Sequence, residues 1–165
     1  MQITDVEVSV QLKVPNPTPI ADALQVLPGA GSVMVRLTTD EGISGEGAAS
    51  FGRIAGGPDA LAALIEHELK PLVIGQDPVM VRHLHREMLR ETEYHGSAGL
   101  ATFGIAAVDT AIWDCLGRVR GVPCWQLWGG VHQRIRAYAM VGWLNYAADE
   151  VQEICPGRWP RDSRP

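Results

Sequence analysis

The stretch from Gly104 to Gly130, GIAAVDTAIWDCLGRVRGVPCWQLWGG, decides the fold that we predict for this chain. Apolar residues recur in it at steps of three and four positions, the period of one helix face: Ile105, Val108, Ile112, Cys115 and Val119. The neighbouring face is small or apolar as well: Phe103, Ala106, Ala107, Thr110 and Ala111. A helix that is apolar around most of its circumference is normally buried. The stretch therefore predicts a central, buried helix.

The end of this helix is also marked in the sequence. Asp114 precedes Arg118 by four residues, the favourable order for an ion pair on an exposed strip of helix. Gly121 can adopt the left-handed conformation that ends a helix, and Pro123 prevents the helix from resuming. The pair Gly129-Gly130 then lets the chain turn sharply.

The pattern A-A-V-D-x-A-x-W-D-x-x-G-R-x-x-G-x-P-x-x-x-L-x-G-G, from Ala106 to Gly130, resembles the mandelate racemase and muconate lactonizing branch of the enolase superfamily. It is similar to the last helix of that family's capping domain and the linker into its barrel, although Cys115 and Trp128 stand where Leu is more usual. The resemblance implies an α+β fold. We expect a three-stranded antiparallel meander, then a helical bundle, then the first strand of a truncated (β/α) barrel.

Three strand patterns precede the helices. From Ile3 to Leu12 apolar and polar residues alternate, as in a half-buried strand, and Val33 to Thr39 repeats this pattern. Ile43 to Ala49 is the third strand, in which Gly45 and Gly47 leave room for an element packed closely against it. Together these segments predict the meander.

Two loops are candidates for substrate contact. Pro15 to Ser32 is a long connection rich in proline, and Phe51 to Gly57 is rich in glycine. In the resembled family these loops close over the barrel mouth, which implies that Ile20, Phe51 and Arg53 reach the substrate pocket. Arg53 would suit a carboxylate through its planar donor fork. Plain surface loops and a solvated arginine remain the alternatives.

Two amphipathic helices are expected between the strands and the central helix. The first opens at Gly57-Pro58-Asp59 and is interrupted at Pro71, and the second opens at Asp77-Pro78. Their buried stripes are predicted to be Leu61, Leu64, Ile65 and Leu69 in the first helix and Val81, Leu84 and Met88 in the second.

Several polar residues on the helices could carry chemistry. His83 and His85 are two residues apart on one helix and cannot grip a metal together, so we interpret them, and His67, as solvated. Asp109 lies among small and apolar neighbours and must be hydrogen-bonded or have a shifted pKa. A general base is one interpretation, and a structural acceptor near the domain junction is the preferred one.

Composition limits the partners. The chain has 165 residues, a net charge of −5 and 46% hydrophobic residues, which indicates a globular protein and argues against nucleic acid. No run of 18 apolar residues indicates a membrane span, and no basic then apolar leader is present, so we expect a cytoplasmic protein. The cysteines Cys115, Cys124 and Cys155 are interpreted as reduced and without a disulfide or metal role.

Beyond the linker the resemblance implies the start of a barrel. Arg134 to Val141 is typical of a strand, and Ala147 to Ile154 begins a helix. We therefore divide the chain into a capping domain (1–130), a first β/α unit (131–154) and a disordered or out-of-frame tail (155–165). A complete barrel needs about 250 residues, so the predicted chain is a fragment.

The resemblance implies a Mg²⁺-dependent enzyme that abstracts the proton next to a carboxylate, an acid-sugar dehydratase or a racemase acting as a homo-oligomer. A cycloisomerase, or a non-catalytic interaction module, is the alternative. The family's base and metal ligands lie on later barrel strands. Here the lysines are Lys13 and Lys70, without a Lys-x-Lys motif. We assign no catalytic and no metal residue to this chain and expect it to be inactive alone.

Overall fold

The computed structural model describes residues 1–12, 20–21, 23–24, 26–27, 31–50, 56–95, 98–138 and 146–157. The chain divides into two compact units. One consists of Met1–Lys13 and Ala30–Val131, and the other of Val14–Gly29 and His132–Pro165. The boundary that we predict at residue 130 stays a prediction.

The first unit contains the predicted meander. Strand β1 (Ile3–Leu12) pairs antiparallel with β4 (Gly31–Thr39), which pairs antiparallel with β5 (Ser44–Ser50). Alternate residues of the central strand β4 are buried from end to end, because one face of the sheet lies on the helices. The three-stranded sheet predicted from alternation is confirmed.

The second unit contains a feature that alternation did not predict. Within the long connection Pro15 to Ser32, β2 (Ile20–Ala21) pairs antiparallel with β3 (Val26–Leu27). Strands of two residues are too short to show an alternating pattern in the sequence. The sequence therefore predicts a loop for the whole segment.

The first helical run continues further than predicted. Helix α1 (Gly57–Leu64) passes into a π-helical turn (Ile65–Leu69), in which the Lys70 N–H donates to the carbonyl of Ile65, and then into α2 (Lys70–Val73). The prediction that Pro71 interrupts this helix is wrong. A proline clashes with the carbonyl four residues before it in an α-helix, and the wider π turn directly before Pro71 relieves that clash.

The second helix begins as predicted. The side chain of Asp77 accepts a hydrogen bond from the Val79 N–H at 3.0 Å and caps a 3₁₀ turn (Pro78–Met80), which leads into α3 (Val81–Glu91). A second 3₁₀ turn (Glu93–His95) follows. The predicted inward residues are buried: Val81, Leu84 and Met88.

The central helix α4 (Leu100–Arg120) ends where the sequence predicts. Gly121 has a φ of 66° and a ψ of 25°, the left-handed conformation, and its N–H donates to the carbonyls of the last turn. Helix α5 (Cys124–Leu127) then leads to Gly129, which has a φ of 78°. A side chain at Gly130 would collide with the ring of Trp125, so the indole lies directly on this glycine.

Burial of α4 is one-sided. The side facing the sheet and α1 is buried, as predicted for this helix: Ala101, Gly104, Ile105, Ala107, Val108, Ala111, Ile112, Cys115, Leu116 and Gly117. In contrast, Phe103, Ala106 and Thr110 are exposed. Among the described residues α4 has the length and hydropathy of a membrane-spanning helix, with a mean hydropathy of 1.3. Its place in the core accounts for that composition, since more than half of it is buried.

The segment after Val131 departs from the prediction. Residues 134–138 are exposed and belong to no strand, so the strand predicted from Arg134 is wrong over these residues; positions 139–141 lie outside the described residues. A parallel strand forms only beside a partner, and the described residues contain none for it. Helix α6 (Ala148–Gly157) confirms the predicted helix and continues through Pro156, past its predicted end at Ile154.

Candidate functional site

Helix α4 meets strand β5 backbone to backbone. A side chain at Gly45 would collide with the carbonyl of Ala111, and one at Gly47 with the carbonyl of Ala107. The sequence prediction that these glycines admit a closely packed element is confirmed. Because no side chain separates the two elements, the backbone of α4 lies directly on the backbone of β5 at these glycines.

A carboxylate reinforces the contact. Oδ2 of Asp114 accepts the Glu46 N–H at 2.9 Å and the Arg118 Nε–H, also at 2.9 Å. The second bond is the four-residue pair predicted on α4. Asp114 therefore links the edge strand β5 to the helix, and its negative charge is neutralised by the guanidinium group of Arg118.

Three residues are predicted to contact the substrate: Ile20, Phe51 and Arg53. Ile20 begins β2 and pairs with Leu27 through the backbone; its side chain lies outside the described part of the structure. Phe51 and Arg53 directly follow β5 and lie outside the described residues. Their role in substrate contact stays a prediction.

Asp109 has a partner on the neighbouring helix. Its Oδ1 lies 3.1 Å from Nδ1 of His85 on α3. An ionised carboxylate only accepts hydrogen bonds, so the imidazole carries its proton on Nδ1 in this contact. The interpretation of Asp109 as a structural acceptor fits this geometry. The interpretation of His85 as a solvated residue is correct only in part, because 43% of its side chain is exposed while its Nδ1 contacts Asp109. His67 and His83 are exposed, as predicted.

The His85–Asp109 pair borders a cleft that the sequence did not predict. The cleft has a volume of about 540 Å³ and lies between α3, α4 and α5. Its lining residues are Val81, Arg82, His85, Arg86, Asp109, Trp113, Leu127 and Trp128. The rings of Trp113 and Trp128 meet edge to face, with centroids 5.6 Å apart. Tryptophans fifteen positions apart give no local pattern, so only the packing of three helices reveals the cleft.

The described residues do not form a magnesium site. Among them no group of three or more His, Cys, Asp or Glu side chains is placed to hold a metal ion. Asp109 and Asp114, the acids of α4, are each occupied by a basic side chain. This donor set does not fit the oxygen-rich shell of Mg²⁺.

Cys115 lies in the α4–β5 contact. Burial raises the pKa of its thiol, because the thiolate would lose its hydration there. The Cys124 thiol donates to the Trp113 carbonyl at 3.3 Å. Both thiols are free.

The comparison with known families decides the identity of this fold. Residues 5–129 match the sequence model of the mandelate racemase / muconate lactonizing enzyme N-terminal domain. The chain belongs to this family. The resemblance read from Ala106 to Gly130 is confirmed, and the sheet followed by helices is the capping-domain fold of the enolase superfamily.

Relatives of the chain include dehydratases and a racemase. It is 41% identical over 111 residues to the D-galactonate dehydratase of Verminephrobacter eiseniae, covering 67% of this chain and 28% of that enzyme. A racemase from Streptomyces coelicolor A3(2) with bound magnesium is 28% identical, with a TM-score of 0.76 over 83% of this chain and 38% of that one.

The L-talarate dehydratase from Polaromonas sp. JS666, complexed with Mg and L-glucarate, is 26% identical, with a TM-score of 0.80 over 92% of this chain and 42% of that one. This chain spans 24–31% of the length of the curated relatives that it matches.

Proposed function

We propose that this chain is the capping part of a Mg²⁺-dependent acid-sugar dehydratase. The 41% identity to a D-galactonate dehydratase over 111 residues, 67% of this chain, carries the proposal. The described residues form a sheet with a core helix packed on it, and among them no group of three or more His, Cys, Asp or Glu side chains is placed to hold a metal ion. On this proposal the chain covers and shapes the substrate pocket, while the chemistry belongs to a barrel.

The proposed reaction removes the proton next to a carboxylate and then expels the neighbouring hydroxyl as water. When bound, Mg²⁺ offsets the negative charge that develops on the carboxylate. The part of this chain in the reaction is to exclude water and orient the sugar acid. We propose Ile20, Phe51 and Arg53 for this contact, with the Arg53 guanidinium donating to an oxygen of the substrate.

The domain division is part of the proposal. Residues 1–130 are the capping domain, 131–154 are the first β/α unit, and 155–165 are a tail outside the domain. On this division the base and the metal ligands belong to the barrel, and the 165-residue chain is inactive alone. We also propose that the whole enzyme is a cytoplasmic homo-oligomer.

A first experiment tests whether the 165-residue chain is inactive without a barrel. The purified chain is incubated with Mg²⁺ and a panel of aldonic and aldaric acids, and 2-keto-3-deoxy acids are measured as semicarbazones. We expect no product. Turnover by the 165-residue chain would contradict the proposed division, because the active site would then lie within it.

A second experiment tests the function of the cap. Residues 1–130 replace the matching segment of the V. eiseniae enzyme, and dehydration of D-galactonate is measured. We expect the chimera to fold and turn over. A folded chimera with Mg²⁺ bound but without turnover on any acid of the panel would favour the alternative of a non-catalytic interaction module.

In the same chimera, Arg53→Ala tests the proposed substrate contact. We expect KM to rise about tenfold or more with a smaller change in kcat, as for a lost charge-assisted hydrogen bond. Arg36→Ala is the matched control, because Arg36 lies exposed on β4 beside Glu46. Equal kinetics for the two variants would remove Arg53 from the pocket.

Racemisation is the second candidate function, since a racemase with bound magnesium shares this fold at 28% identity. A racemase exchanges the α-proton of its substrate with solvent and returns the acid without forming a keto acid. Incubation in D₂O of the whole enzyme with its own barrel separates the two: deuterium incorporation without a semicarbazone would favour the racemase.

A further inference from the structure

The cleft between α3, α4 and α5 has one cationic wall. Arg82 and Arg86 are four residues apart and therefore lie on the same face of α3. Neither forms an ion pair with a described residue, whereas Arg90, on the same helix and outside the cleft, pairs with Glu87 and Glu91. In a chain of net charge −5, two unneutralised guanidinium groups on one cleft wall concentrate positive charge.

The carboxylate of the cleft does not cancel this charge completely. Asp109 is the acidic residue among those that line it, and its Oδ1 is held by His85. The two lining guanidinium groups carry two positive charges against the one negative charge of Asp109, so the cleft favours an anion.

The cleft is also lined by aromatic side chains. Trp113 is half-buried and meets Trp128 edge to face, while Trp128 is 61% exposed. Leu127 and Val81 are the apolar lining residues of the cleft. An exposed indole next to apolar side chains gains free energy when a flat ring covers it.

We propose that this cleft binds a small aromatic carboxylate. Guanidinium groups match a carboxylate in geometry and charge, and the indole of Trp128 matches a ring. The volume of about 540 Å³ lies in the range of small-molecule sites. The ligand's carboxylate faces Arg82 and Arg86, and its ring lies against Trp128. This inference goes beyond the proposed function and does not depend on it.

The test uses the 165-residue chain and 4-fluorobenzoate, followed by ¹⁹F NMR. We expect saturable binding with a Kd on the order of 1 mM for a ligand of this size. The Arg82→Gln/Arg86→Gln double variant is expected to bind at least about tenfold more weakly. Arg90→Gln on the same helix is the matched control and keeps wild-type affinity. 4-Fluorobenzyl alcohol, which lacks the carboxylate, and acetate, which lacks the ring, should each bind at least about tenfold more weakly.

A second measurement locates the ligand even if the double variant fails to fold. The indole N–H signals of ¹⁵N-labelled wild-type chain are assigned by single Trp→Phe variants and followed during the titration. We expect shifts for Trp113 and Trp128 and none for Trp125. No saturable binding, equal affinity of the folded double variant, equal binding of the alcohol, or shifts confined to Trp125 would each overturn the proposal. So would concentration-dependent dimerisation that protects Trp128 and excludes the probe.

Discussion

On the side of α4 that faces β5, backbone meets backbone, because Gly45 and Gly47 have no side chain to hold the helix away. On the side that faces α3 and α5, Asp109 and Trp113 border a cleft of about 540 Å³. The first contact leaves no space for an added methyl group, whereas the second leaves space for a ligand. Close packing fixes the helix on the sheet, whereas on the other side the His85–Asp109 hydrogen bond adds to the apolar packing of α3 in the core.

The contrast shows how the stability of this fold is distributed. Substitutions on the sheet side of α4 must move backbone, which is rigid, while substitutions on the α3 side disturb side chains that water can reach. We therefore expect a graded series of effects on the free energy of unfolding.

Gly47→Ala should give the largest effect. Its Cβ would collide with the Ala107 carbonyl and lie 2.8 Å from the Ala111 N, so the strand or the helix must shift. We expect a loss of about 3 kcal/mol or more in urea unfolding, at or above the upper end of ordinary overpacking. The control is Gly56→Ala, since nothing lies within 4 Å of a Cβ there. Similar stabilities for the two variants would show that the α4–β5 contact is looser than described.

Asp109→Ala should have an intermediate effect. It removes the acceptor of His85, but 43% of the His85 side chain is exposed and water can replace the lost bond. We expect a loss of about 1 kcal/mol, near the lower end of the range for an unpaired donor. A double-mutant cycle with His85→Ala measures the coupling, and His83→Ala on the same helix is the control. No coupling between residues 85 and 109 would contradict the described hydrogen bond.

Gly104→Ala should have a smaller effect, although Gly104 is also on the buried side of α4. Its Cβ would lie 3.1–3.3 Å from side-chain atoms of Leu69, Leu64 and Ile65, which can adjust. The gain in helix propensity, about 1 kcal/mol, offsets most of the crowding. Thermal unfolding should place this variant within about 1 kcal/mol of the wild type. A loss as large as that of Gly47→Ala would mean that these side chains are as rigid as backbone.

Ionisation of the Cys115 thiol should have the smallest effect on the free energy of unfolding, and only at high pH. Its pKa is raised in the folded state, so the folded chain keeps the proton while the unfolded chain loses it around the ordinary value of 9.0. Stability is therefore fully present well below pH 9.0 and is lost progressively as the pH rises through that value. The difference between wild type and Cys115→Ala isolates this effect from other groups. An unchanged difference between pH 7 and pH 9.5 would contradict it.

Much of the first unit was predictable, because its signals are local. The alternation of apolar and polar residues predicted the strands. Asp77 predicted the start of the second helix and Gly121 the end of the central helix, while Gly45 and Gly47 predicted a closely packed neighbour. The His85–Asp109 bond and the cleft were not predictable, since they depend on how α3 packs on α4. The sequence from Arg134 has a strand pattern without a local fault, but the described residues contain no partner strand for it, so the prediction failed. Ile20, Phe51 and Arg53 came from the family resemblance and stay predictions.

The π turn has a consequence for the rotational phase of the first helical run. The buried residues Leu61, Ile65, Leu69 and Val73 are spaced uniformly by four positions, and each is fully buried. In a regular α-helix a residue advances about 100°, so each step of four overshoots a full turn by about 40° and the stripe would wind off the core. The wider π turn between Ile65 and Leu69 turns the helix back, which keeps a four-residue repeat on one face.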